Sequence, residues 1–172
     1  MSEDAGHITT KHLMGIGHVV VAWAALEIAL IEVLRTLLKI DDAMALLTFY
    51  HSGYNEKRTR IVTLASVYEL SEAAEKELDC LVTRMNAAYD LRNIVAHSVW
   101  AAGDKPGEIV PHILKAKSKK IKLSGVNLDN EVFTPERLRG EALKIGRVVE
   151  DVQDFFRAHF GASFGGQEDG AD

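Results

Sequence analysis

The sequence predicts a mainly α-helical protein, an antiparallel bundle of four to five helices with a small β-hairpin inserted before the last helix. Long segments place apolar residues three or four positions apart, and capping residues precede several of them. Between positions 98 and 124 the pattern changes to short, strand-like runs separated by a Gly- and Pro-containing turn. The chain has 172 residues, 47% of them hydrophobic, which is enough to bury one core.

The first helix is predicted from Thr9 or Thr10 to about Lys39. Its predicted core stripe consists of Ile16, Val20, Trp23, Glu27, Leu30, Leu34 and Leu37 or Leu38. The segment is long enough to cross a bilayer, but polar residues interrupt it at helical spacing, which favours a core helix and no membrane partner. These residues are His18, Glu27, Glu32 and Arg35.

Two shorter helices follow. Asp42 to Tyr50 is predicted to form one, and Asn55 is predicted to cap the next, which ends near Leu70. That helix opens with Lys57, Arg58 and Arg60, which either contact phosphate or form a solvated face.

The fourth helix starts at Ser71 and carries an apolar stripe that includes an arginine. The stripe consists of Leu78, Leu81, Val82, Met85, Tyr89 and Ala96, with Arg92 among them. A guanidinium on a core stripe must be paired or serve a function, and the two opposite charges suggest a buried ion pair between Arg92 and Glu27. The alternative is that Glu27 bonds a neighbouring hydroxyl or backbone group. Asn93 lies at the edge of the stripe, and His97 lies one turn beyond Asn93. Arg92 and His97 are about 140° apart on an ideal helix, so they share one target only if the helix ends near Ala96 or a second copy contributes.

After His97, the segments 98–102 and 108–115 are predicted to form the hairpin, with 121–123 as a third short strand. The lysines of this insertion form either a solvated edge that discourages aggregation or a strip that follows RNA phosphates. They are Lys115, Lys117, Lys119, Lys120 and Lys122. Thr134, Pro135 and Glu136 start the last helix, which Gly161 ends. Its predicted apolar set is Leu138, Ala142, Ile145, Val149, Val152 and Phe156.

The predicted organisation is one helical domain at 9–160, with its β insertion at about 98–124, between flexible tails at 1–8 and 161–172. The single cysteine, Cys80, excludes an intrachain disulfide, is expected to be buried, and favours a cytoplasmic protein. The net charge of −5 argues against broad, nonspecific affinity for nucleic acid.

The sequence lacks the motifs of the common cofactor and metal enzymes, so no cofactor and no metal are predicted. Arg92, Asn93 and His97 remain as candidates. Histidine exchanges protons near neutrality, and arginine offers a fixed fork of donors to a phosphate. RNA cleavage requires only a base, an acid and charge stabilisation, because the 2′-hydroxyl is the nucleophile. The competing interpretation is structural, with Arg92 paired to Glu27 while Asn93 and His97 cap carbonyls at the helix end.

The segment R-N-I-V-A-H at 92–97 resembles the motif of the HEPN superfamily, the higher eukaryote and prokaryote nucleotide-binding domains. An early W-x-x-L-E at 23–27 and an A-H-x-x-W at 96–100 are also similar, and the resemblance covers roughly Lys11 to Phe160. It implies a helical bundle that dimerises with two motifs facing one cleft. The resemblance also implies the activity that many members have, which is metal-independent endoribonuclease activity in toxin–antitoxin or phage-defence systems.

By this resemblance His97 is the acid-base group, Arg92 contacts the phosphate and Asn93 orients them. Some toxin members carry a tyrosine two residues after the histidine, where this chain has Val99. The resulting hypothesis is a homodimeric, metal-independent ribonuclease with Arg92, Asn93 and His97 as its catalytic residues and Glu27 in support. Possible RNA contacts are Arg58 and the lysines of the insertion, and a cognate antitoxin or regulatory protein is a possible partner. The alternative is a non-catalytic helical adaptor that binds a nucleotide or a protein.

Overall fold

The computed structural model describes residues 8–115, 124–127 and 131–162. It is mainly helical, with a small antiparallel sheet before the last helix, and this confirms the predicted fold class. In chain order the elements are α1 (Thr10–Leu38), α2 (Asp42–Phe49), α3 (Tyr54–Ala65), α4 (Glu72–His97), β1 (Val99–Ala102), β2 (Ile109–Lys115), β3 (Ser124–Asn127) and α5 (Pro135–Phe160).

Side-chain caps explain where three of the helices begin. Asp41 Oδ1 accepts a hydrogen bond from the Met44 amide at 2.9 Å and starts α2. Ser71 and Thr134 accept from backbone amides three residues on, at the starts of α4 and α5. The prediction that Asn55 caps α3 is wrong. That helix begins at Tyr54 after Gly53, which offers no side-chain cap, and it ends at Ala65 rather than near Leu70.

The sheet has the strand order β1-β2-β3, with both pairs antiparallel. His112 is opposite Val99 on one side and Asn127 on the other, so β2 is the central strand. Gly107, with φ of 82°, supplies the left-handed conformation in the turn between β1 and β2. The predicted hairpin is thus present, while the predicted third strand at 121–123 lies outside the described residues and the described β3 starts at Ser124.

Residue contacts group the chain into two compact units. The first contains Met1–Trp23 and Ala87–Ile145, and the second contains Ala24–Asn86 and Gly146–Asp172. The start of α1, the end of α4, the sheet and the first part of α5 therefore belong to one unit, while α2, α3 and the remaining helical segments belong to the other.

Close backbone approach and ring contacts hold the first unit together. A Cβ at Gly15 would lie 2.7 Å from Leu138 Cβ, so α1 and α5 approach as closely there as glycine permits. The Trp23 and Tyr89 rings are 5.7 Å apart and join α1 to α4. Buried His12 bonds the Gly107 carbonyl at 3.0 Å, and this contact ties α1 to the turn of the sheet.

Aliphatic and aromatic side chains form the core of the second unit. The α1 residues Leu26, Leu30 and Leu34 are fully buried. The Tyr68 hydroxyl donates to the Leu37 carbonyl at 3.2 Å. Phe155 and Phe156 of α5 contact each other and Phe160 ring to ring. Each of these contacts removes apolar surface from water.

Four residues of the predicted α1 stripe, Trp23, Leu30, Leu34 and Leu37, are buried, but the stripe is wrong at Val20 and Glu27. Val19 and Leu26 are buried, whereas Val20 is 43% exposed and Glu27 is partly exposed. The prediction that Cys80 is buried is also wrong, because its thiol is exposed. Cys80 is two residues after buried Leu78, and two residues correspond to about 200° around a helix, so it faces away from the core.

By length and composition α1 is apolar enough to cross a membrane, and 39% of its most apolar 18-residue window is buried in the protein. The buried side chains of α1 extend from His12 to Leu37. The predicted tails lie outside the described residues except at their inner ends. There Gly161, with φ of 66°, and buried Ala162 donate backbone hydrogen bonds to the last turn of α5.

Candidate active site

The end of α4 brings three polar side chains together in the first unit. Upstream, the helix buries Leu81, Met85 and Ala88 on one face. Arg92 continues that face one turn later but is only partly buried. Asn93 is also partly buried, and His97, the last residue of the helix, is exposed. The polar group is therefore placed where the apolar face of α4 reaches solvent.

A single nitrogen of Arg92 connects the three side chains. Nη1 donates to Asn93 Oδ1 at 3.2 Å and lies 3.1 Å from His97 Nε2. Although α4 continues through His97, the long arginine side chain spans the angle of about 140° between the two positions. Arg92 and His97 thus meet within one chain.

This contact fixes which imidazole nitrogen is unprotonated. A guanidinium offers only donors, so the His97 Nε2 atom beside it must accept through its lone pair. In the neutral ring the proton then resides on Nδ1. His97 is held in the tautomer whose Nε2 takes up a proton, and that nitrogen is covered by Arg92.

Arg92 has one buried donor, Nε, without an acceptor among the described residues. In the described part of the chain, two buried side-chain polar atoms have no hydrogen-bond partner, namely Arg92 Nε and Ser98 Oγ. Both lie in the seven-residue segment that contains the candidate site. Most buried polar atoms in proteins are paired, so Arg92 Nε is a buried donor whose acceptor is not among the described residues. Ser98 lies about 120° from Arg92 on helical geometry, and nothing in the structure links its hydroxyl to the site.

The predicted ion pair between Glu27 and Arg92 is wrong. Glu27 Oε1 lies 3.9 Å from Lys57 Nζ of α3, within the second unit. Periodicity identified both Glu27 and Arg92 as charged residues on apolar faces, but it carries no information about which helix opposes each face. Arg92 instead has two uncharged partners, Asn93 and His97.

Sequence reasoning missed the role of Lys57, which is only 2% exposed. The sequence predicts that Lys57 either contacts phosphate or belongs to a solvated face, and both predictions are wrong because Lys57 is buried. The sequence spacing could have indicated that Lys57 is buried. Tyr54, Lys57 and Ile61 recur three and four positions apart, so they lie on the same face of α3, and all three are buried. Nearby, Asn86 Oδ1 accepts from the Tyr54 hydroxyl and from Arg58 Nη1, both at 2.8 Å.

Of the residues predicted to contact RNA, Arg58 is the one whose side chain the structure describes. Arg58 bonds Asn86 and lies 5.9 Å from the Tyr54 ring centre, so its guanidinium serves the second unit. Lys115 ends β2, and its side chain is not described. The other four lysines, Lys117, Lys119, Lys120 and Lys122, lie outside the described residues.

The described residues contain no group of three or more His, Cys, Asp or Glu side chains that converge as metal ligands. Comparisons with protein families, curated proteins and solved structures find no match for this chain.

Proposed function

We propose that this protein is a cytoplasmic, metal-independent endoribonuclease of the HEPN type that acts as a homodimer. The observation that carries the proposal is the contact of Arg92 Nη1 with His97 Nε2 at 3.1 Å, beside an unpaired Arg92 Nε. It joins a proton acceptor to a cation that has no anionic partner among the described residues.

In the proposed reaction His97 Nε2 takes the proton of a ribose 2′-hydroxyl as that oxygen attacks the adjacent phosphorus. The bond from phosphorus to the 5′-oxygen of the next nucleotide breaks, which leaves a 2′,3′-cyclic phosphate and a 5′-hydroxyl. The donors of Arg92 stabilise the additional negative charge on the phosphate oxygens in the transition state. Asn93 holds Arg92 through its Oδ1 atom.

Substrate binding has to open the contact between Arg92 and His97 before Nε2 can act. A phosphate group carries a negative charge and can accept two parallel hydrogen bonds from a guanidinium, whereas the neutral imidazole offers Arg92 a single uncharged acceptor. An RNA phosphate therefore draws the guanidinium away from the neutral imidazole. The base is uncovered only when a substrate is present.

One histidine supplies either the base or the acid, so a second proton donor is needed for the leaving 5′-oxygen. In a homodimer the second copy of His97 supplies it when that imidazole is in its protonated, imidazolium form and has been released from its own Arg92, and it is then left as the neutral base. The wider setting, a toxin–antitoxin or phage-defence system with a cognate antitoxin or regulator, is proposed from the sequence resemblance alone.

Cleavage of a mixed RNA substrate by purified protein in EDTA tests the proposal. Wild-type protein is expected to cleave and a folded His97→Ala variant is not, with a rate reduced by roughly 10²- to 10⁴-fold. His51→Ala is the matched control, because His51 is also exposed but lies in the loop before α3, in the second unit. Equal cleavage by wild type and His97→Ala would remove the proposal.

The Arg92 guanidinium, whose described partners are uncharged, also suits a protein that binds a nucleotide phosphate without cleaving it. Binding of a nucleotide that requires Arg92, with no cleavage by a dimer confirmed by light scattering, would favour this second function.

A further inference from the structure

A cavity of about 370 Å³ lies between the start of α1 and the start of α5, within the first unit. We call it the α1–α5 cavity. Its apolar lining consists of Met14, which is 56% exposed, buried Gly15 and partly buried Pro135. Its volume is near the lower end of the range of ligand pockets, roughly 300–1,000 Å³, so it suits a small group rather than a folded segment.

The charged lining of the α1–α5 cavity is mainly cationic. Lys11 of α1 and Arg139 of α5 line it, together with the carboxylate of Glu136 and the imidazole of His18. Arg139 and His18 make no hydrogen bond or ion pair with another described residue. When His18 is neutral, the two cations and the carboxylate leave one positive charge in excess around the cavity.

Glu136 is already engaged at the start of α5. Hydrogen bonds from its own backbone amide and from Thr134 lower the pKa of the Glu136 carboxyl, and the nearby Lys11 and His12 lower it further. The carboxylate is therefore ionised, and it already satisfies the positive end of the helix dipole. For this reason we assign the attraction of the cavity for an anion to Lys11 and Arg139 and not to the helix end.

We propose that the α1–α5 cavity binds a phosphate group of an RNA strand, away from the phosphate that is cleaved. A phosphodiester carries one negative charge, which matches the one excess positive charge of the cavity, whereas a phosphate monoester carries nearly two. The Arg139 guanidinium can donate two parallel hydrogen bonds to phosphate oxygens, and Lys11 adds a compact positive charge. Met14 and Pro135 offer apolar surface to the neighbouring ribose.

The position of the cavity within the first unit favours an RNA strand over a free nucleotide. His12, next to Lys11, bonds the carbonyl of Gly107 in the turn after β1, and β1 begins two residues after His97. Because β1 has four residues, it is on the order of 10 Å long. A few nucleotides that follow β1 can therefore reach both His97 and the cavity. The choice of RNA rests on the proposed function, and the geometry rests on the cavity.

Binding of a labelled single-stranded RNA to the full-length protein tests the inference. The 2′-hydroxyls of this RNA are methylated, so the proposed reaction cannot cleave it. Arg139→Ala is expected to weaken binding about tenfold. It should also make the dependence of log affinity on log salt shallower by about 0.7, as for the loss of one phosphate contact to a single strand.

Arg147→Ala is the matched control. Arg147 is also an exposed arginine of α5, but it lies in the second unit and does not line the cavity. Its replacement removes the same charge from the protein, so the RNA affinity is expected to stay within about twofold of that of wild type.

A second variant is expected to change the affinity in the opposite direction. Glu136→Gln removes the carboxylate that lines the cavity and keeps the size of the side chain, so RNA should bind about threefold more tightly. Because damage to the fold does not tighten binding, this variant tests the inference even if Arg139→Ala unfolds.

Adenosine monophosphate tests whether a free nucleotide is the ligand instead. It is expected to displace the RNA only at roughly hundredfold higher concentration, because an RNA strand binds through several linked contacts. Displacement at equal concentration would overturn the assignment to an RNA strand.

Absence of RNA binding, or an affinity that neither Arg139→Ala nor Glu136→Gln changes, would overturn the inference. If the wild type cleaves RNA in that case, the proposed function stands without this cavity. RNA binding that responds to both variants as expected, by a wild type that does not cleave unmethylated RNA, would support the inference and count against the proposed function.

Discussion

Lys57 and Arg92 are both cations on the apolar face of a helix, and they differ in what surrounds them. Lys57 is 98% buried in the second unit and has a carboxylate partner, Glu27, at 3.9 Å. Arg92, in the first unit, is only partly buried and bonds two uncharged side chains. A buried cation with an acidic partner stabilises the folded protein. A cation whose described partners are uncharged is not neutralised by them, so it can bind an incoming anion.

The largest effect on stability is expected at Lys57. Lys57→Ala removes a buried four-carbon side chain and leaves Glu27 without its cationic partner, so the free energy of unfolding should fall by about 3 kcal/mol. Urea denaturation measures this loss. Lys57→Met, which keeps the length of the side chain, should recover most of the stability. Equal losses in both variants would mean that the charge rather than the packing dominates.

Asn93→Asp is expected to make the surroundings of Arg92 resemble those of Lys57. The new carboxylate would accept from Arg92 and compete with an RNA phosphate, so cleavage should fall about tenfold or more. Stability should rise by up to about 1 kcal/mol, as for a partly exposed ion pair. Cleavage assays and urea denaturation of the same preparation measure both quantities. Undiminished cleavage would argue against a phosphate contact by Arg92.

The smallest effect is expected at Glu27. Its side chain is 33% exposed and its distance to Lys57 is long, so solvent screens the pair. Glu27→Gln should therefore lower the free energy of unfolding by less than about 1 kcal/mol and leave RNA cleavage unchanged. A loss comparable to that of Lys57→Ala would show that the ion pair itself, and not the lysine stem, stabilises the second unit.

Periodicity and capping residues were sufficient to predict the helical fold, the hairpin before α5 and the position of Arg92 near the core stripe of α4. They failed where the outcome depends on tertiary partners. The sequence contains Glu27, Lys57 and Arg92 as misplaced charges, but only the packing of α1 and α3 within their unit shows that Glu27 opposes Lys57. The contact between Arg92 and His97 was underestimated for a different reason, since an ideal helical wheel ignores the reach of an arginine side chain.

The most direct test of the difference between the two cations is Arg92→Ala, with RNA cleavage and urea denaturation measured on one preparation. Removal of a transition-state donor should lower the cleavage rate by roughly 10²- to 10³-fold. The free energy of unfolding should change by no more than about 1 kcal/mol, because Arg92 is partly exposed and its Nε is already unpaired. A loss of stability as large as that of Lys57→Ala, or cleavage equal to that of wild type, would contradict the assignment of Arg92 to the active site.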